Sequence, residues 1–375
     1  MDFFSFIPAG LYTTIYTYTI VLLSFITVLY YVSSNESNVL KAKSTISFYP
    51  VIILSVFLIL FMGLRPFTKE FGDTSMYAHW YNNILQTDSF IKDDKEWIWT
   101  LLARQCVNLG LEANIWFLVV ELLYISTMVA CCWVLMRNNL WVAVLFCFVS
   151  YSFYSYGING IRNGLACSIV MLAIALLNQN FFAKIVSIIL MVIAFGIHNS
   201  IALPSLCAIA SLLVIKNPKH AIAFWGVSII LSLIIGNAVG DFFEGLGFDD
   251  RTHYFEDVSE SASAEQFSST GFRFDFLLYS AMPVLMTWYV TIKRNFQDST
   301  FNLIANTYII ANAFWIMVVR STFSNRFAYL SWFLYPLVIA YPLIRFNIWE
   351  NQGKKAALIL LAYTGFTFVM YLIGR

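Results

Sequence analysis

The 375-residue sequence predicts an all-α polytopic integral membrane protein with about twelve transmembrane helices. Three observations carry this. The chain is 60% apolar and 11% charged, where soluble domains run at roughly 45–50% and about 25%. Its mean hydropathy is +0.73. Its apolar residues gather in runs near the roughly 20 residues that cross a bilayer, and short polar clusters separate them. The composition excludes a soluble enzyme and a disordered chain. The formal net charge of +1 gives no basic excess, so nucleic acid is not a partner.

In chain order the runs are 11–33, 46–63, 113–135, 139–156, 161–178, 182–197, 199–215, 220–239, 274–292, 301–319, 327–345 and 355–373. The first has no basic residues before it and no cleavage signal, so it reads as a retained span, not a signal peptide. Only His198 separates 182–197 from 199–215, so these are two tilted helices or one re-entrant pair. Residues 64–112 are polar and aromatic, with Trp80, Trp97 and Trp99, and read as amphipathic helices at the membrane surface. Residues 240–272 read as a flexible external loop, acidic and then Ser-rich. All of 1–375 reads as one membrane domain, with no room for a soluble one. No internal repeat is visible, which weakens an inverted-repeat transporter. The six cysteines form no CxxC pair and read as small packing residues.

Orientation follows from Lys and Arg placement. Alternate loops from residue 34 onward hold eleven basic residues, mostly Lys, against Glu36, Asp298 and Glu350. That set is cytoplasmic. The opposite set is acid-rich, yet it carries Arg65, Arg104, Arg162, Arg251, Arg273, Arg320, Arg326 and Arg375. Arginines at the ends of apolar helices, on the side where the positive-inside rule disfavours them, call for an anionic partner.

The candidate site residues lie on that external side. Arg65 ends the second span, and Asp73 follows in Gly72-Asp73-Thr74. Arg65 reads as an anion ligand or a snorkelling helix-end residue. Asp73 reads as a base or as a helix N-cap. Arg162, in Asn159-Gly160-Ile161-Arg162-Asn163-Gly164, sits in the first turn of a span. There the free N–H groups and its own fork of donors suit an anion. His198-Asn199-Ser200 offers a proton acceptor near neutral pH or a capping cluster. Arg273 opens a span beside Asp275 and pairs with it or binds an anion. Arg320 and Arg326 bracket a short turn suited to bidentate phosphate recognition. His79, His220 and His253 read as solvated. Asp249, Asp250, Glu256 and Asp257 read as a solvated acidic loop rather than a metal site. No nucleotide fingerprint and no metal or cofactor motif is present in the sequence. An anionic, phosphate-bearing substrate reached from the bilayer fits these residues.

At the same positions the chain resembles the EpsG-like branch of the Wzy polymerases of O-antigen and exopolysaccharide. The matching pieces are Gly63-Leu64-Arg65, Gly72-Asp73-Thr74 with Tyr77, Asn159 to Ala166, His198-Asn199-Ser200, Arg273 to Phe276, and Arg326 to Tyr329 before Pro336. That family often has Gln where Asn163 stands. The resemblance implies a metal-independent glycosyltransferase of GT-C type in the bacterial inner membrane, acting on the periplasmic side. Its partners would be an undecaprenyl-diphosphate-linked oligosaccharide donor and acceptor, membrane lipids and a chain-length regulator. Arg65, Arg162, Arg273, Arg320 and Arg326 would bind the diphosphate, with Arg162 also catalytic. His198 would be the base, with Asp73 orienting it or replacing it. The loop at 240–272 and the helices at 78–111 would shape the sugar groove, with Trp80 and Tyr81 stacking on sugars. An O-antigen ligase, a lipid-linked oligosaccharide flippase and a membrane acyltransferase are the competing readings. The flippase predicts charges along a path to both sides, whereas only Glu121 lies in mid-span.

Overall fold

The computed structural model describes residues 6–33, 48–87, 96–245, 274–319 and 324–373. Their regular structure is helical throughout. Among the described residues, five helical segments are long and apolar enough to cross a membrane: Ala9–Ser33, Ala113–Val149, Phe274–Lys293, Phe327–Arg345 and Gln352–Ile373. Shorter apolar helices occupy the other predicted runs, except 301–319, where a longer helix of lower hydropathy forms. The residues divide into two compact units, 1–201 with 339–375, and 202–338.

The first unit contains α1 (Tyr12–Ser33), α2 (Phe48–Gly63), α3 (Thr74–Thr87), α4 (Trp97–Asn108), α5 (Ala113–Met136), α6 (Leu140–Val149), α7 (Tyr151–Ile158), α8 (Ile161–Leu177) and α9 (Phe181–Ile197). Helix α5 is its hub and packs on α2, α6 and α8, while α9 packs on α8. The predicted surface segment is two helices. In α3, Thr74, Tyr77, Ala78, Tyr81 and Ile84 are buried, a spacing of three and four that marks one helical face. Trp116 of α5 anchors that face: Tyr81 stacks on it at 4.9 Å and Trp99 of α4 meets it edge-on at 5.0 Å.

The run at 139–156 is not one helix. Ser150 takes an extended conformation and splits it into α6 and α7. A break inside apolar surroundings strands backbone carbonyls, which must find other partners. Two hydroxyls supply them: Tyr16 donates to the Phe148 carbonyl and Thr367 to Val149 at 2.8 Å. Helix α7 then ends at Ile158, and the turn through Asn159 and Gly160 leads into α8 and Arg162.

The second unit contains α10 (Ala202–Leu213), α11 (Pro218–Gly245), α12 (Phe274–Trp288), α13 (Ser299–Met317) and α14 (Ser324–Trp332). The chain returns through α15 (Tyr335–Arg345) to α16 (Gln352–Ile373) in the first unit. Helix α13 is buried on nearly every side and packs on α10, α11, α12 and α14. Residues 240–245, expected in the external loop, continue α11 instead. The rest of that loop lies outside the described residues.

Candidate functional site

Two arginine–glutamate pairs organise the site, and every described residue of both belongs to the first unit. The first is closed. Arg65 follows α2, and its side chain is 0% exposed. Its Nη1 donates to the Met62 carbonyl at 2.6 Å and to Glu121 Oε1 at 3.4 Å. Its Nη2 donates to the Ile158 carbonyl at 3.0 Å, and both Nε and Nη2 donate to Thr74 Oγ1. The guanidinium has five N–H donors, and these contacts engage every one. Its carbon lies 4.9 Å from the Phe117 ring centre. Arg65 thus ties the end of α2 to α3, α5 and the end of α7. Held this way, it offers no donor to a diphosphate, which differs from the role its sequence suggests.

The second pair is open. Glu96 stands immediately before α4 and bridges two predicted residues. Its Oε2 accepts from Arg162 Nη1, and its Oε1 lies 2.5 Å from His198 Nδ1. Arg162 Nε donates to the Tyr77 hydroxyl at 2.9 Å, and the Arg162 guanidinium lies 5.3 Å from the Tyr77 ring centre. The Arg162 and His198 side chains are 19% and 25% exposed. Among the described residues the His198 Nε2 has no hydrogen-bond partner. Next to it, Asn199 Oδ1 and Ser200 Oγ are buried with no hydrogen-bond partner among the described residues.

Local structure explains why these side chains meet. Helix α9 ends at Ile197, and His198 is extended before a short 3-10 turn over Asn199–Ile201. That turn lifts the imidazole off the helix. One residue earlier, Gly196 lets α4 come close: a Cβ there would lie 2.5 Å from Ile98 and 3.0 Å from Trp97. The glycine therefore seats the start of α4, and with it Glu96, beside His198. Arg162 lies in the first turn of α8, where the chain emerges from α7.

Electrostatics favour an ionised Glu96. Burial pushes its carboxyl up, but the hydrogen bond to His198 and the charge of Arg162 outweigh burial and hold it below the ordinary value. Burial raises the Tyr77 phenol despite Arg162 beside it, so Tyr77 stays a neutral donor and acceptor.

The predicted residues fall into three groups. Arg162 and His198 come together, joined by Glu96, which the sequence did not single out. Asp73 lies just before α3, close enough for its charge to act on Tyr77, but it makes no described contact with His198; its carbonyl accepts from Tyr77 N–H at 3.0 Å, and its own N–H donates to Asn159 Oδ1 at 2.9 Å. The carboxylate orienting His198 is Glu96, not Asp73. Gly72 precedes it at φ +58°, where a Cβ would also strike the Asn159 amide, so only glycine fits. Arg273 and Arg320 lie outside the described residues, and for Arg326 only its place in α14 is described. Tyr81 is fully buried, its hydroxyl donating to the Leu111 carbonyl at 2.8 Å, and cannot stack on a sugar. Trp80 is half-buried and stacks on Trp99 with ring centres 6.5 Å apart.

The open cluster thus offers a cation for an anion, an imidazole with one free nitrogen, and a carboxylate holding both. A family model described as the EpsG family matches residues 48–374. No curated protein matches, and no solved structure matches.

Proposed function

The chain belongs to the EpsG family, and from that membership and the Arg162–Glu96–His198 cluster we propose the following activity. The protein is a polysaccharide polymerase of the bacterial inner membrane, with about twelve spans and its site facing the periplasm. It transfers the growing glycan from undecaprenyl diphosphate onto the terminal sugar of a new lipid-linked repeat unit. The fold would be of GT-C type, and a chain-length regulator would be a partner.

The bond changes balance without a metal. The acceptor hydroxyl oxygen forms a bond to the anomeric carbon of the donor glycan. Its proton passes to His198 Nε2. The bond from the anomeric carbon to the phosphate oxygen breaks, and its electron pair stays on the diphosphate. Arg162 neutralises that developing charge. His198 acts as general base through the nitrogen left free by Glu96. The observation that carries the reading is that pairing: a fixed Nδ1 contact aims the opposite nitrogen outward.

Surface-glycan length on a gel tests it, in a deletion strain complemented with wild type, Arg162→Ala or His198→Ala, each checked for membrane expression. Wild type restores a ladder, and each variant leaves a single repeat unit. A full ladder from the variants would show that these residues do not act in polymerisation. Glycan wholly absent in the deletion strain would favour a ligase, and an unchanged ladder there would remove both readings.

A further inference from the structure

Glu96 has two oxygens and two partners. Oε2 holds Arg162 and Oε1 holds His198 Nδ1. Each partner is the residue needed for one half of glycan transfer. A diphosphate carries more negative charge and more acceptor oxygens than a carboxylate, so it competes for the same arginine fork. Arginine stays protonated, so it must exchange one anion for another rather than release a proton.

We propose that Glu96 is a placeholder for the donor diphosphate. It occupies Arg162 until a polyprenyl-linked diphosphate displaces it, and it then serves His198 alone. The proposal rests on the reading that Arg162 binds that diphosphate. Before displacement, the charge of Arg162 offsets the carboxylate, and His198 feels it weakly. After displacement, the full carboxylate charge supports the imidazolium that forms when Nε2 takes the acceptor proton. The base then becomes effective only with the donor in place, so proton removal is coupled to donor binding. The charged and titratable groups described around His198 are Glu96 before α4, Arg162 on α8 and Tyr77 on α3. Asn199 and Ser200 add only neutral atoms. Glu96 is thus a positioning residue that acts through Arg162 and His198.

The idea predicts a split that a structural role would not give. Glu96→Gln keeps the shape but removes the charge, so Arg162 loses the carboxylate that Glu96 presents to it. Farnesyl diphosphate, a short polyprenyl diphosphate, is titrated calorimetrically into the purified full chain, and ladder length is read in cells. Glu96→Gln binds several-fold tighter than wild type, while its ladder falls to one or two repeats. Glu96→Asp withdraws the carboxylate by one methylene and gives the same split in weaker form. It carries the test should the Gln variant fail to reach the membrane. Binding unchanged or weaker in the Glu96 variants overturns the placeholder, as does a full ladder. If Arg162→Ala binds farnesyl diphosphate as wild type does, the reading of Arg162 fails and takes the placeholder with it.

Discussion

Arg65 and Arg162 each meet a glutamate within the same compact unit, yet the two pairs do different work. Arg65 is sealed, with every guanidinium donor committed to Glu121, Thr74 and two carbonyls. Arg162 keeps 19% of its side chain exposed, and its glutamate is shared with a histidine whose far nitrogen is open. Charge at a helix end therefore does not mark function by itself. What separates a clasp from a site is whether the fold seals the cation from solvent or leaves it within reach.

The largest expected effect tests the clasp. Arg65→Ala leaves Glu121 buried without its cation, and removing one partner of a buried pair costs about 3–5 kcal/mol. The variant should be nearly absent from membranes by immunoblot. Arg65→Met with Glu121→Leu removes both charges and should recover much of the protein level. A normal level of Arg65→Ala protein lacking only polymer would break the comparison and return Arg65 to the diphosphate. The next effect belongs to the open pair. Arg162→Lys keeps a charge but loses the fork that reaches both Tyr77 and Glu96. Protein level should hold while the rate of chain extension falls roughly 10²-fold or more, the scale of losing one charge-stabilising donor.

Much of this was legible in the sequence, and the gaps have physical causes. The described parts of the apolar runs are helical, with the runs at 139–156 and 327–345 each in two pieces, as expected where an apolar medium makes the backbone bond within each segment. Within residues 64–112, the helices expected there are α3 and α4. Arg162 and His198 stood out because charge and imidazole are rare beside apolar runs. Glu96 did not, since it sits among other loop acids and its partners lie 66 and 102 residues away. Ser150 looked like one more residue of an apolar run. Its break is sustained by hydroxyls on Tyr16 and Thr367, which no local pattern announces. The fully engaged state of Arg65 was equally invisible, because it depends on carbonyls at Met62 and Ile158 that only the fold brings near.

A smaller effect sharpens the contrast through pH. Glu96 is held below its ordinary carboxyl value of 4.5 in the folded chain. A carboxyl lowered by folding stabilises the fold above its unfolded value, and that contribution is lost as pH falls through the lower folded value. The difference in thermal unfolding between wild type and Glu96→Gln should therefore be constant above about pH 4.5 and shrink below it. A difference that grew on acidification would mean that Glu96 is not stabilised by Arg162 and His198.

The smallest effect concerns how the open pair is assembled. Gly196 carries no chemistry, but it lets α4 approach α9 closely enough to bring Glu96 to His198. Gly196→Val forces Ile98 and Trp97 back, an overpacking that typically costs about 1–3 kcal/mol. The Arg65 clasp lies on other elements, so the protein should still reach the membrane. Its ladder should shorten without disappearing, because His198 and Arg162 remain and only their common carboxylate is displaced. The second change Ile98→Ala removes the nearest clashing carbons and should lengthen the ladder again. If Gly196→Val instead removed the protein from the membrane and Ile98→Ala did not restore it, the glycine would belong to the stability of the unit. The seating of Glu96 would then need another explanation.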